Sequence, residues 1–165
     1  MTKQKIQTVK AGFLDNVNKE KAFVVWSRPG NGSVNYLMDH FAAPVYYGNR
    51  IATSHLDYSD LIHPQINGEV LLPNFIEAAR RSREINGKKL AFIFDELSNA
   101  SPAGIEAFSK AVLERNVLGL SLAEGDIVLA TGMLDPKGNP FMGDIPRSLF
   151  NSMSHYVIDF ERQHA

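Results

Sequence analysis

The chain has 165 residues, 44% of them hydrophobic and 21% charged, enough for one domain with a full core. A formal net charge of −1 gives no electrostatic basis for a nucleic-acid or anionic-membrane partner, and the lack of cysteine excludes disulfides, thiolate metal sites and cysteine nucleophiles. No segment approaches the roughly 20 apolar residues of a membrane span, and Met1 to Thr8 lacks an apolar signal core, so the expected compartment is the cytoplasm.

Residues 1–20 are a polar extension in which Ile6, Val9 and Phe13 have the spacing of one short helix. Ala22 to Trp26 reads as a buried strand that runs into Ser27-Arg-Pro-Gly-Asn-Gly-Ser33, a loop of turn formers. Leu37 and Phe41, four apart, mark a short helix after it. Val45 to Tyr47 and Ile51 to Thr53 are strand-like pieces around a Gly48-Asn49 turn signal, and Asp57 to Glu69 reads as polar loop. Pro73 opens a helix that Asn86-Gly87 stops. Its Arg80, Arg81 and Arg83, with Lys88 and Lys89, are a phosphate-binding cluster or, by default, a solvated helix face.

Leu90-Ala-Phe-Ile-Phe-Asp95-Glu96 follows, an apolar run that ends in two adjacent carboxylates. Such a run is expected of a strand buried on both faces of a parallel sheet. Acids at its carboxyl end would lie in the crevice where open α/β sheets bind ligands. In a nucleotide hydrolase the first acid holds the metal's water shell and the second activates the attacking water. The alternative is an acidic turn that caps the next helix. Ser101-Pro102 starts that helix, with Ile105, Phe108, Val112 and Leu113 at helical spacing. Asp126 to Thr131 is a fourth strand, with Thr131 read as a satisfied terminal hydroxyl. Gly132 to Gly143 is loop, Arg147 to Met153 a short helix and His155 to Phe160 a fifth strand. Strands alternate with helices throughout, which predicts a layered, parallel α/β sheet in a single domain over residues 1–165. The five histidines have no zinc-binding spacing and read as core or surface residues.

A strand, a glycine-rich loop and a helix in succession over residues 22–41 can present backbone N–H groups to a phosphate. Against G-x-x-x-x-G-K-[S/T], Ser27 takes the first glycine position, Arg28, Pro29, Gly30 and Asn31 the spacer, and Gly32 the second glycine. Ser33 stands where lysine belongs, or in the hydroxyl position if the lysine is deleted. The lysine is missing in either register.

With these residues, Phe23 to Ser33, Phe92 to Pro102, Val128 to Gly132 and Ile145 to His155 together resemble the AAA+ ATPases, closest to their MoxR-like branch, over roughly residues 9–160. The resemblance implies a P-loop NTPase-like three-layer sandwich with a parallel five-stranded sheet in the order 5-1-4-3-2. It also implies ATP or ADP with Mg bound between subunits, Ser27 to Ser33 as the nucleotide loop, Asp95 at the metal and Glu96 as the catalytic base. The departures are the absent lysine, Met133 in place of a polar sensor, Ser152 in place of an arginine finger, and a chain that ends at Ala165 where a helical lid would follow.

Each departure has a chemical consequence. Without lysine, backbone amides are left to hold the β- and γ-phosphates, and an arginine finger contributes about 10³–10⁵ in rate in comparable enzymes. A thioether is only a weak acceptor and cannot orient a water as an amide does. The expectation is therefore a catalytically degenerate AAA+-like module that binds copies of itself or an active AAA+ protein. The rivals are a slow ATPase in which Arg28 supplies the lysine's charge, and a structural or inhibitory protein, for example viral, that uses no nucleotide.

Overall fold

A computed structural model describes residues 6–9, 22–28, 33–41 and 46–158. Six of its strands form one parallel sheet: β1 (Ile6–Val9), β2 (Ala22–Ser27), β3 (Tyr46–Ala52), β6 (Lys89–Asp95), β9 (Ile127–Met133) and β10 (Ser154–Ile158), in the order β1-β10-β2-β9-β6-β3. Two short antiparallel hairpins lie outside it: β4 (Gln65–Ile66) with β5 (Glu69–Val70), and β7 (Asn116–Val117) with β8 (Leu120–Ser121). Numbered by the five expected strands, the sheet runs 5-1-4-3-2.

Three expectations need correction. Residues 6–9 are a strand, not part of a helix, and they add a sixth strand beside β10; Phe13 lies outside the described residues. Tyr46 to Ala52 is one unbroken strand paired with β6, so Gly48-Asn49 is no turn. Gly48 fits within it because its missing side chain leaves room for the Phe41 carbonyl, which would lie 3.1 Å from a Cβ. The 57–69 stretch is structured too, by a 3-10 turn over Tyr58–Leu61 capped by Asp57 and by the β4–β5 hairpin.

The central strands are buried on both faces, as their continuous apolar runs require. Val24, Trp26, Phe92, Phe94, Val128 and Ala130 face one core. Into it pack Ile76 and Ala79 of α2 (Asn74–Asn86), Ala107, Phe108 and Ala111 of α3 (Pro102–Leu113), and Leu149 and Phe150 of α4 (Arg147–Asn151). The intervening residues, Phe23, Val25, Ala91, Ile93, Ile127 and Leu129, face a second core with Leu37 of α1 (Ser33–His40) and Phe41. Helices thus cover both faces. On α2, Arg80 pairs with Glu77 and Glu84, and Arg81 with Glu77. These ion pairs lie along the solvated side of the helix.

Helix ends follow their local chemistry. Gly87, at φ 64°, closes α2 in the left-handed region. The Ser101 hydroxyl accepts the Gly104 N–H and Pro102 occupies the first turn of α3. At the amino edge of the sheet, buried Asp126 accepts the Leu90 and Ala123 N–H groups, both at 2.8 Å, and pairs with Arg83 of α2. That clamp fixes the starts of β6 and β9 and so the register at their far ends.

Candidate functional site at the carboxyl edge

The strand register carries Ser27, Met133, Asp95 and Ala52 to one edge. Ser27 pairs with Met133, and Ala52 with Asp95. Among described residues the edge is continued by Leu134, whose N–H donates to the Ser27 carbonyl at 2.9 Å. Gly132 lets it close: a Cβ there would lie 2.3 Å from the Trp26 ring.

Asp95 is the most heavily bonded residue of the edge. Arg50 of β3 donates from Nε to Oδ2 at 2.8 Å, and its Nη2 lies 2.7 Å from the same oxygen as an ion pair. Oδ1 accepts the Thr131 hydroxyl and, at 3.0 Å, the Glu96 N–H. Both carboxylate oxygens are thus engaged by protein groups, the guanidinium on Oδ2 and the hydroxyl and amide on Oδ1. Thr131 is the satisfied hydroxyl expected of it, 4% exposed and also accepting the Glu96 N–H at 3.1 Å.

Glu96 stands differently. Its backbone is left-handed (φ 60°, ψ 41°), a strained conformation for a residue other than glycine. Its carboxylate is exposed and, among the described residues, accepts the Ser54 hydroxyl at 2.9 Å. The strain is held from below by buried Thr53, whose hydroxyl lies 2.7 Å from the Asp95 carbonyl and 3.0 Å from that of Glu96. Ser98 then binds the Met133 N–H at 2.8 Å, locking the turn after β6 to the end of β9.

Of the expected loop, Ser27 is buried at the end of β2, Arg28 is exposed, and Ser33 is the first residue of α1. Pro29, Gly30, Asn31 and Gly32 lie outside the described residues. Ser152 follows α4, where its hydroxyl donates to the Leu149 carbonyl at 2.7 Å. Arg50, Thr53 and Ser54 were not singled out by the sequence. Arg50 was hidden because its strand reads as two pieces around a turn; a continuous alternating strand would have put it on the Asp95 face.

Below the edge, His155 is fully buried. Trp26 Nε1 donates to its Nδ1 at 3.0 Å, so the imidazole proton is on Nε2, which faces the Phe150 carbonyl at 2.6 Å. Burial lowers its pKa, and the Phe150 carbonyl only partly offsets this. Among the described residues no three histidine, aspartate or glutamate side chains gather to hold a metal, and no helix is long and apolar enough to cross a membrane. No protein-family model matches the chain, and a comparison with curated proteins finds no match.

Proposed function

We propose that the chain is a catalytically degenerate AAA+-like domain that acts by binding protein, either copies of itself or an active AAA+ protein, with little or no ATP hydrolysis. The observation that carries this reading is the bonding of Asp95. A metal-binding acid needs free acceptor sites, whereas here a guanidinium sits on one oxygen and a hydroxyl and an amide on the other. The donor set therefore fits magnesium poorly. A metal at Oδ2 would have to displace the Arg50 guanidinium, while Oδ1 stays committed to the Thr131 hydroxyl and the Glu96 N–H. Methionine at the end of β9 and serine after α4 add no charge or water handling.

Binding is supported by the β4–β5 hairpin, all four of whose strand residues are exposed. Ile66 is opposite Glu69 and Val70 opposite Gln65, so the two apolar side chains project from opposite faces of the hairpin. Isolated two-stranded hairpins are marginal in water, and a partner that covers Ile66 and Val70 would supply the missing burial.

Phosphate release measured with malachite green tests the reading. The expected result is a rate at background that Glu96→Gln leaves unchanged. Robust Mg-ATP turnover abolished by Glu96→Gln would overturn it. A slow-ATPase reading keeps one favourable observation, the exposed Glu96 carboxylate at the carboxyl edge. It requires Mg-ATP binding in calorimetry that weakens on Arg28→Ala.

A further inference from the structure

Beside the carboxyl ends of β2 and β9 is a cavity of about 400 Å³, within the range of small-molecule sites. Among the described residues, Met133, Leu134, Pro136 and Phe141 give it apolar walls, and Arg28 and Asp135 are its charged residues. The wall is built rather than loose. Leu134 is bonded to Ser27 and bridged to Pro140, and Phe141 N–H donates to the Met133 carbonyl at 2.8 Å. The Asp135 N–H donates to the Asn139 carbonyl at 2.7 Å.

The two charges differ in availability. Asp135 Oδ1 accepts the Lys137 and Asn139 N–H groups at 2.8 and 3.0 Å, so this carboxylate shapes its own turn. Arg28 is exposed and makes no hydrogen bond or ion pair with another described residue. Its planar fork of donors is suited to a carboxylate. Phe141 is 45% exposed at the cavity, an aromatic face that a ligand would cover.

We propose that this cavity binds a small apolar monocarboxylate, its body against Met133, Leu134 and Phe141 and its carboxylate on Arg28. One guanidinium matches one negative charge; it is a poor match for a triphosphate, whose several charges would meet Asp135 as well. The proposal rests on the cavity alone and is independent of whether the domain hydrolyses ATP or assembles.

Saturation-transfer NMR with 2-naphthoate, and with 2-naphthamide as its uncharged twin, tests it on the full chain. Saturable 2-naphthoate binding is expected, about tenfold or more tighter than that of the amide. Arg28→Gln should bring the acid down to the level of the amide, and Phe141→Ala should weaken both. Both side chains are exposed enough for the variants to fold, which unchanged thermal melts would establish. Equal affinity for acid and amide, or 2-naphthoate binding that survives Arg28→Gln or Phe141→Ala unchanged, overturns the proposal, as does absence of saturable binding to the unmodified chain.

Discussion

Arg50 and His155 each do a job at the level of one side chain that can be measured. Arg50 is about half exposed and Asp95 nearly buried, so their ion pair is screened on one side only. Removing Arg50 leaves Asp95 with the Thr131 hydroxyl and the Glu96 N–H. Arg50→Ala should cost on the order of 1 kcal/mol in urea unfolding, below the full range for charged hydrogen bonds because of that exposure. It should also free Oδ2, so that Mn²⁺, followed by water proton relaxation, binds the variant more tightly than the parent. Unchanged stability together with unchanged Mn²⁺ binding would mean that the pair does not occupy Asp95. His155 gives a pH dependence of definite sign. Its folded pKa lies below the unfolded value of about 6.5 because burial disfavours the imidazolium. Above about pH 6.5 the ring is neutral in both states and contributes no slope. Below it the unfolded chain takes up a proton that the folded chain refuses, so stability falls as pH drops toward the folded pKa. His155→Gln should flatten that loss between pH 7.5 and 5.5, with unfolding followed by circular dichroism. A variant that loses stability over this range as steeply as the parent would contradict the assignment.

Helix and strand ends explain what could and could not be read from the sequence. Ser101-Pro102 and Asn86-Gly87 announce α3 and the stop of α2 because capping depends on neighbours a few residues away. The buried runs at 22–27, 89–95 and 127–133 are legible for a similar reason, since continuous apolarity leaves few alternatives to a doubly covered strand. β3 was harder. It lies at the sheet edge, is half-buried over most of its length and carries Gly48-Asn49, so its composition looks like a turn while its pairing with β6 comes from tertiary contact. The hairpin at 65–70 did have a local signal: Asn67 and Gly68 are both left-handed, at φ 53° and 82°, as a two-residue turn requires. At the site, the sequence singles out Asp95 and Glu96 but cannot supply Arg50 or Thr53, which arrive from 45 and 42 residues away. Ser101 shows how such an end is tied to the site. Besides capping α3, its hydroxyl approaches the Leu56 carbonyl at 2.5 Å and the Thr53 carbonyl at 3.1 Å. Ser101→Ala should therefore destabilise by about 1–2 kcal/mol, toward the upper part of the range for a lost cap. Thermal unfolding would measure it, and a loss of only a few tenths would show that water replaces the hydroxyl.

For the molecule as a whole, exposed apolar side chains are most numerous in one connection. Among the described residues nine large apolar side chains are exposed; six of them, Tyr58, Ile62, Ile66, Val70, Leu71 and Phe75, fall in the one connection between β3 and the first turn of α2, while Ile85, Leu113 and Phe141 lie elsewhere. Exposed apolar side chains are ordinary one at a time; six along one connection make it the place to test for a partner. A net charge of −1 offers little repulsion against a second copy. If assembly uses this connection, charging the hairpin should disrupt it without touching the core. Ile66→Lys with Val70→Lys replaces two exposed side chains on opposite faces of β4–β5, so folding stability should change by less than about 0.5 kcal/mol. Light scattering should then find the parent above the 18.3 kDa of one chain at tens of micromolar, and the variant at one chain's mass. Equal masses for parent and variant, both above one chain, would move the self-contact off the hairpin. A parent that stays at one chain's mass would leave an active AAA+ protein as the partner the assembly reading requires.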